Sequence, residues 1–144
     1  MTYCVAIKLN TGMVFLSDTR TNAGVDLVNT FRKMTVFETP GDRTIVLMTS
    51  GNLSISQSVV QHLMRQTKTE EGSTLWNVKN MYQAARLVGH AIRSVYELDG
   101  AALKEFGFEF SVSFIIGGQI GDEDMRLFQV YSAGNFIEAT DDNP

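Results

Sequence analysis

Hydrophobic and polar residues alternate through much of the first fifty positions, with the two-residue period of half-buried strands. Four strands are predicted there, over residues 2–9, 13–18, 31–37 and 44–49. The turn Asn10-Thr11-Gly12 joins the first two strands as a hairpin, and a polar loop over 19–29 leads to the second pair. The fourth strand is almost continuously apolar, so we expect both of its faces to be covered.

The hydrophobic period changes after Ser50-Gly51-Asn52. Apolar residues then recur every three or four positions, which predicts two amphipathic helices, over 53–66 and over 75–98, the second ended by Asp99-Gly100. Three more strands are predicted, over 108–116, 125–132 and 135–139. Strands that are separated from the helices and joined by short turns indicate the α+β class with antiparallel sheets.

The strands near both ends of the chain carry apolar residues on both faces, so each sheet needs a second layer. A sandwich of two antiparallel sheets, with both helices outside one of them, meets this need. The outer face of the other sheet then lacks a cover, and Pro144 follows soon after a strand. We therefore expect a single domain over 1–144 that lacks its C-terminal part, and exposed strands that favour self-association.

Composition argues against several classes of function. The 144 residues have a net charge of −4 with scattered Lys and Arg, so no nucleic-acid-binding face is expected. A single cysteine, Cys4, and no recognisable signal peptide or membrane-length segment predict a cytoplasmic protein. Cys4 with the distant His62 and His90 gives no metal-ligand pattern, so neither a metal nor another cofactor is expected.

Thr2 is the candidate nucleophile. A threonine hydroxyl needs a neighbouring base, and removal of Met1 would provide one, since a free α-amino group has a pKa of about 7.7–8.0. Because threonine is small enough at position two, removal of Met1 is expected; its retention would leave the nitrogen in a peptide bond. A threonine at position two usually has no catalytic role, so the hypothesis that Thr2 is a nucleophile depends on the residues that follow.

Those residues resemble, in order and spacing, the proteasome β-type threonine peptidases, which are N-terminal nucleophile hydrolases with a four-layer αββα fold. The resemblance starts at Thr2 and its hairpin and is carried further by Ser17-Asp18-Thr19-Arg20-Thr21, Arg32-Lys33 and Ser50-Gly51-Asn52. Residues 19–26 and Phe31-Arg32-Lys33-Met34 are most similar to the bacterial proteasome-like branch called Anbu. The resemblance covers all of this chain, and the family's chains continue beyond it. The loop between Asp18 and Lys33 is one residue shorter than in the commoner proteasome pattern.

The resemblance implies a role for each of five residues. Thr2 supplies the attacking hydroxyl and the basic amine. Lys33 places an ammonium beside that hydroxyl, which favours an alkoxide and keeps the amine neutral. Asp18 is the carboxylate that holds this lysine, and Arg20 is a second cation near it. Gly51 provides a backbone N–H to the oxyanion hole.

A peptide substrate is expected to bind as an added strand along Thr21-Asn22 and Gly51-Asn52. A small pocket beside Thr2, lined by Thr49 and Leu53, would select its side chain. The serine and aspartate that orient the amine in this family lie in its second half and have no counterpart here.

Plainer interpretations stand beside these roles. Asp18 could simply be the residue that ends a strand, without a catalytic role. Lys33 could be a solvated strand lysine, and Gly51 could serve only as a hinge. Cys4 as a thiol nucleophile is less favoured than Cys4 in the core. Neither histidine has an acid at a spacing that supports a Ser-His-Asp triad.

The sequence thus predicts a subunit of a proteasome-like threonine peptidase. The alternatives are a non-catalytic assembly or binding module of the same fold and an amidase that acts on small molecules. The predicted partners are peptides or unfolded proteins and further copies of the chain, in a ring or an open spiral. An ATPase partner is compatible with the sequence, but no residue pattern supports it.

Overall fold

The computed structural model describes residues 2–22, 28–65 and 72–140. Nine strands and two helices occur among these residues: β1 (Cys4–Leu9), β2 (Gly12–Ser17), β3 (Arg20–Asn22), β4 (Val28–Thr30), β5 (Met34–Thr39), β6 (Arg43–Gly51), α1 (Leu53–Arg65), α2 (Met81–Glu105), β7 (Val112–Ile120), β8 (Arg126–Val130) and β9 (Phe136–Glu138). The α+β class predicted from the sequence is confirmed.

A five-stranded antiparallel sheet in the order β5-β6-β7-β8-β9 is the centre of the fold. β6 and β7 pair from Arg43 opposite Ile120 to Gly51 opposite Val112. The apolar run in β6 is buried on both of its faces, as its sequence predicts. β6 therefore holds Gly51, at its end, rigidly against the start of β7.

Both helices lie on one face of this sheet. Alternate residues of β6 and β7, such as Ile45, Leu47 and Phe114, belong to the same core cluster as the buried faces of α1 and α2. The helices contribute Ile55, Val59, Leu63, Val88, Ile92 and Val95.

The β1–β2 hairpin covers part of the opposite face. A Cβ added at Gly117 of β7 would lie 2.9 Å from Phe15 Cζ and 3.0 Å from Met13 Cε, so these two hairpin side chains pack directly on the glycine and would have to shift to admit a Cβ. The predicted sandwich is thus present. The other face of the hairpin exposes apolar side chains, among them Val14 and Leu16, as expected for a sheet without an outer cover.

The predicted loop over 19–29 is wrong in part, because it contains the short antiparallel ladder of β3 and β4. Arg20 pairs with Thr30, and the Phe31 N–H donates to the Thr19 carbonyl at 2.7 Å. These three-residue strands are mostly polar, so hydrophobic alternation gives no sign of them. Residues 23–27 of the predicted loop lie outside the described part of the chain.

Helix α2 begins six residues later than predicted. Asn80 is its N-cap, with φ −154° and a side-chain oxygen that accepts the Gln83 N–H at 2.9 Å. Leu75 and Val78 are buried in a preceding turn, so they extend the apolar spacing without being helical.

The predicted stop of α2 at Asp99-Gly100 is also wrong. Gly100 lies inside the helix, where a Cβ would meet the Tyr96 ring at 2.8 Å. α2 ends instead at Glu105, and Gly107 follows with a φ of +75°. The strand predicted from residue 108 consequently begins at Val112.

Candidate active site

The Lys33 ammonium is the centre of the candidate site. Lys33 precedes β5 and is only 4% exposed. Its Nζ donates to Thr2 Oγ1 at 3.1 Å, to both carboxylate oxygens of Asp18 at 2.8 Å and to the Arg20 carbonyl at 2.7 Å. Four oxygens thus surround three N–H groups, and the interpretation of Lys33 as a solvated strand lysine does not hold.

Backbone hydrogen bonds on both sides fix the position of Lys33. The Thr49 N–H donates to the Lys33 carbonyl at 3.0 Å, which ties the residue to β6. The Phe31 N–H, two residues earlier, is bound to Thr19. These contacts hold the Lys33 side chain between Thr2 and Asp18.

Asp18 binds the ammonium and also positions the start of the chain. Its Oδ1 accepts the Tyr3 N–H at 2.8 Å, and its own N–H donates to the Tyr3 carbonyl at 2.9 Å. Tyr3 directly follows Thr2, so the same carboxylate binds Lys33 and fixes the backbone next to the candidate nucleophile. The hydrogen bond from Lys33, followed by the one from Tyr3, lowers the pKa of Asp18 from 3.8 to about 2.

This low pKa predicts the acid sensitivity of the fold. A carboxyl whose pKa is depressed stabilises the native state above its unfolded pKa, and this stabilisation is lost as the pH falls from about 4 towards 2. The free energy of unfolding should therefore differ between the wild type and Asp18→Asn by a constant amount above pH 5, and the difference should shrink towards pH 2. Urea denaturation at each pH measures it. A difference that grows on acidification would contradict the role of Asp18.

Arg20 contributes backbone atoms to the site and does not act as the expected second cation. Its N–H donates to Asp18 Oδ2 at 3.2 Å, and its carbonyl accepts a hydrogen bond from Lys33. Its side chain is exposed, and the Arg20 charge is not among the causes of the low Asp18 pKa. The implied role of its guanidinium thus has no support in the geometry.

Gly51 is both a hinge and part of the wall of the site. Its φ is +98°, and an added Cβ would lie 2.5 Å from the Ser111 carbonyl oxygen and 2.9 Å from Val112 Cα. The next residue, Asn52, donates its N–H to the Ser111 carbonyl at 2.8 Å and caps α1 with its side chain, which accepts the Ser54 N–H. The backbone at Gly51 is therefore held closely against Ser111 and Val112.

Gly51→Ala should lower the free energy of unfolding by about 2–4 kcal/mol, because it combines a strained φ with contacts to backbone that cannot move aside. Gly41→Ala is the matched control, since Gly41 has a φ of +78° but no atom within 4 Å of an added Cβ. It should cost only about 1 kcal/mol. Equal costs in chemical denaturation would show that Gly51 is not closely confined.

A cavity of about 640 Å³ brings the predicted residues together. Its lining includes Thr2, Thr21, Lys33, Thr49, Gly51, Asn52 and Leu53. Asn22 pairs with Val28 in the β3–β4 ladder, directly after Thr21. The expected removal of Met1 lies outside the described residues.

Several residues that line the cavity were not predicted, namely Phe31, Ser50, Ser54, Ser56, Gln57 and Phe108. Ser50 and Phe31 belong to the two motifs that contain Gly51 and Lys33, so their position in those motifs could have indicated them. Phe108 follows the end of α2, more than fifty positions from those motifs, and only the folded chain brings it to Leu53 and Ser54.

Two features of the described residues concern membrane insertion and metal binding. Neither helix is long and apolar enough to cross a membrane. Within residues 2–22, 28–65 and 72–140, no group of three or more His, Cys, Asp or Glu side chains could hold a metal ion.

Comparison with known proteins shows which solved structures share this fold and sequence. No family model matches the chain, and no curated protein matches it. Solved structures do: Anbu (ancestral beta-subunit) from Yersinia bercovieri is 46% identical over 98% of this chain, with a TM-score of 0.87. The helical assembly of the Anbu complex from Pseudomonas aeruginosa is 45% identical over 98% of it, with a TM-score of 0.89. This chain belongs with the Anbu proteins.

A third Anbu structure, the Gly-1 mutant from Hyphomicrobium sp. strain MC1, is 46% identical over 100% of this chain, with a TM-score of 0.89. The chain spans 57%, 59% and 58% of the Anbu chains from Yersinia, Hyphomicrobium and Pseudomonas respectively. The resemblance predicted from Thr2, Asp18, Lys33 and Gly51 is confirmed at the level of family and fold.

Proposed function

We propose that this chain carries the nucleophile of a proteasome-like threonine peptidase of the cytoplasm, and that Met1 is removed so that Thr2 has a free amine. The main support is the Lys33 ammonium, which lies 3.1 Å from the Thr2 hydroxyl oxygen and is held by Asp18. A solvated lysine would not contact both the Thr2 hydroxyl and Asp18, and an aspartate that only ends a strand would not bind a buried ammonium.

The chemistry proceeds in two steps. The Thr2 amine accepts the hydroxyl proton as Oγ1 attacks the carbonyl carbon of the peptide bond, and the proton then passes to the leaving amine. This forms an ester between Thr2 and the acyl part of the substrate, which a water molecule hydrolyses. The positive charge of Lys33 stabilises the developing alkoxide and, through like-charge repulsion, keeps the amine unprotonated.

The confined backbone at Gly51 fits the part of an oxyanion-hole donor. A backbone N–H that is held in place by neighbouring backbone needs no reorganisation when negative charge develops on the carbonyl oxygen. Gly51 and Thr2 line the same cavity, as this role requires.

The substrate in this proposal is a peptide in an extended conformation. Thr21 of β3, Gly51 at the end of β6 and Asn52 line one cavity, so their main-chain groups could form hydrogen bonds with an added strand. Thr49 and Leu53 then contact the side chain beside the reacting carbonyl.

The proposal includes assembly of several copies into a ring or an open spiral. The exposed apolar face of the β1–β2 hairpin supports association. The related Pseudomonas aeruginosa structure is described as a helical assembly. Enclosure of the nucleophile in such an assembly would restrict substrates to peptides and unfolded chains.

The proposal is tested with the purified full chain, a mixture of unstructured peptides and a panel of small acyl amides. Mass spectrometry of the products should show cleavage of the peptides, and intact-mass analysis should show a chain that starts at Thr2. Turnover of the small amides without the peptides would favour the amidase alternative. A chain that retains Met1 and cleaves neither would favour the non-catalytic module.

A further inference from the structure

The segment that follows α2 fixes the backbone of an aromatic residue, Phe108, but leaves its side chain uncovered. The Phe108 N–H donates to the Leu103 carbonyl at 2.8 Å, and the Gly107 N–H donates to the Lys104 carbonyl at 3.1 Å. With the φ of +75° at Gly107, these are the two hydrogen bonds of a Schellman motif. Phe108 is nevertheless 61% exposed, and Phe106 is 76% exposed.

Phe108 belongs to the lining of two cavities. One is the candidate active-site cavity; the other, of about 330 Å³, is lined by Ala102, Leu103, Phe106, Phe108, Ser54 and Asp99. Ser54 and Phe108 belong to both linings, so the two cavities are adjacent. A peptide whose reacting carbonyl lies at Thr2 can therefore reach the second cavity with a side chain farther along.

We propose that the second cavity is a subsite for an apolar side chain of the peptide substrate, with Phe108 as the residue that determines this specificity. The inference rests on the proposed function and names the substrate more closely. Four of its six lining residues are apolar, and an apolar ligand would remove both phenyl rings from water. Asp99 is exposed, so its charge is solvated in the absence of a ligand.

Binding can be measured without turnover in the Thr2→Ala variant of the full chain. Fluorescently labelled peptides carry Leu, Ser or Arg at a single position, and that position is moved stepwise along the acyl side of the reacting carbonyl. Each peptide is titrated with the protein, and its binding is followed by fluorescence anisotropy. At one position, the Leu peptide should bind about tenfold more tightly than the Ser peptide. Adding Phe108→Ser should reduce that ratio to below about twofold while the affinity for the Ser peptide stays the same.

Val36→Ser is the matched control for Phe108→Ser. Val36 is an apolar residue of β5 that is 51% exposed and lines neither cavity. In the Thr2→Ala background it should leave the Leu-to-Ser ratio unchanged. A ratio that falls equally in both variants would mean that surface apolarity in general, and not the subsite, holds the peptide, and it would overturn the inference.

Three further outcomes would also overturn the subsite. They are equal affinities for Leu and Ser at every position, no binding of any peptide, and an Arg preference that Asp99→Asn removes. The proposed peptidase function is judged separately, by cleavage of the same peptides with Thr2 intact. Cleavage that persists without a Leu preference would leave that function standing and refute the subsite alone.

Discussion

Thr2→Ala is expected to reduce peptide hydrolysis by at least about a thousandfold, because it removes the attacking oxygen itself. The fold should persist, since Lys33 keeps its contacts with Asp18 and the Arg20 carbonyl. Loss of one hydrogen bond to Thr2 should change the free energy of unfolding by about 1 kcal/mol or less. Steady-state cleavage of a fluorogenic peptide and urea denaturation measure the two quantities.

Two variants control this experiment. Thr2→Ser keeps a hydroxyl beside the amine and should retain measurable activity. Thr11→Ala removes an exposed threonine from the turn between β1 and β2 and should leave the rate unchanged. Hydrolysis by Thr2→Ala at the wild-type rate would show that another group is the nucleophile.

Lys33→Met is expected to have the second largest effect, a loss of at least about a hundredfold in kcat/KM. Methionine keeps much of the side-chain volume but lacks the charge that stabilises the alkoxide of Thr2. It also lacks the positive charge that, in the proposed mechanism, disfavours protonation of the Thr2 amine, so the acidic limb of the pH–rate profile should move to higher pH. The free energy of unfolding should fall as well, because Asp18 loses its partner.

Lys8→Met is the matched control, because Lys8 is an exposed lysine of β1 that does not line the candidate cavity. It should change neither the rate nor the pH profile. Residual activity of Lys33→Met within a factor of two of the wild type, with an unmoved acidic limb, would refute the role of the ammonium.

The sequence predicted those parts of the fold that local pattern determines. Alternation and the Asn10-Thr11-Gly12 turn are sufficient for the β1–β2 hairpin, and the apolar run of β6 indicates burial on both faces. The partners of Lys33 were predicted from the resemblance to a family. No pattern in the sequence shows that residues 2, 18 and 33 meet in space.

The wrong predictions depend on contacts that the sequence does not display. Gly100 is tolerated inside α2 because the Tyr96 ring fills the space beside it. The true end of α2 depends on the backbone of Gly107, and the ladder of β3 with β4 has no hydrophobic alternation. The Arg20 side chain is exposed, and only the Arg20 backbone binds Asp18 and Lys33. The residue type does not show whether its backbone or its side chain contributes to the site.

The most direct test of the central claim is to locate the acyl group on the enzyme. The full chain is mixed with a peptide ester that acylates quickly and hydrolyses slowly, then quenched in acid, digested and sequenced by tandem mass spectrometry. The account predicts an acyl group on the Thr2 oxygen, in molecules that begin at Thr2, and none in the Thr2→Ala variant. An acyl group on another residue, or equal labelling of Thr2→Ala, would contradict it.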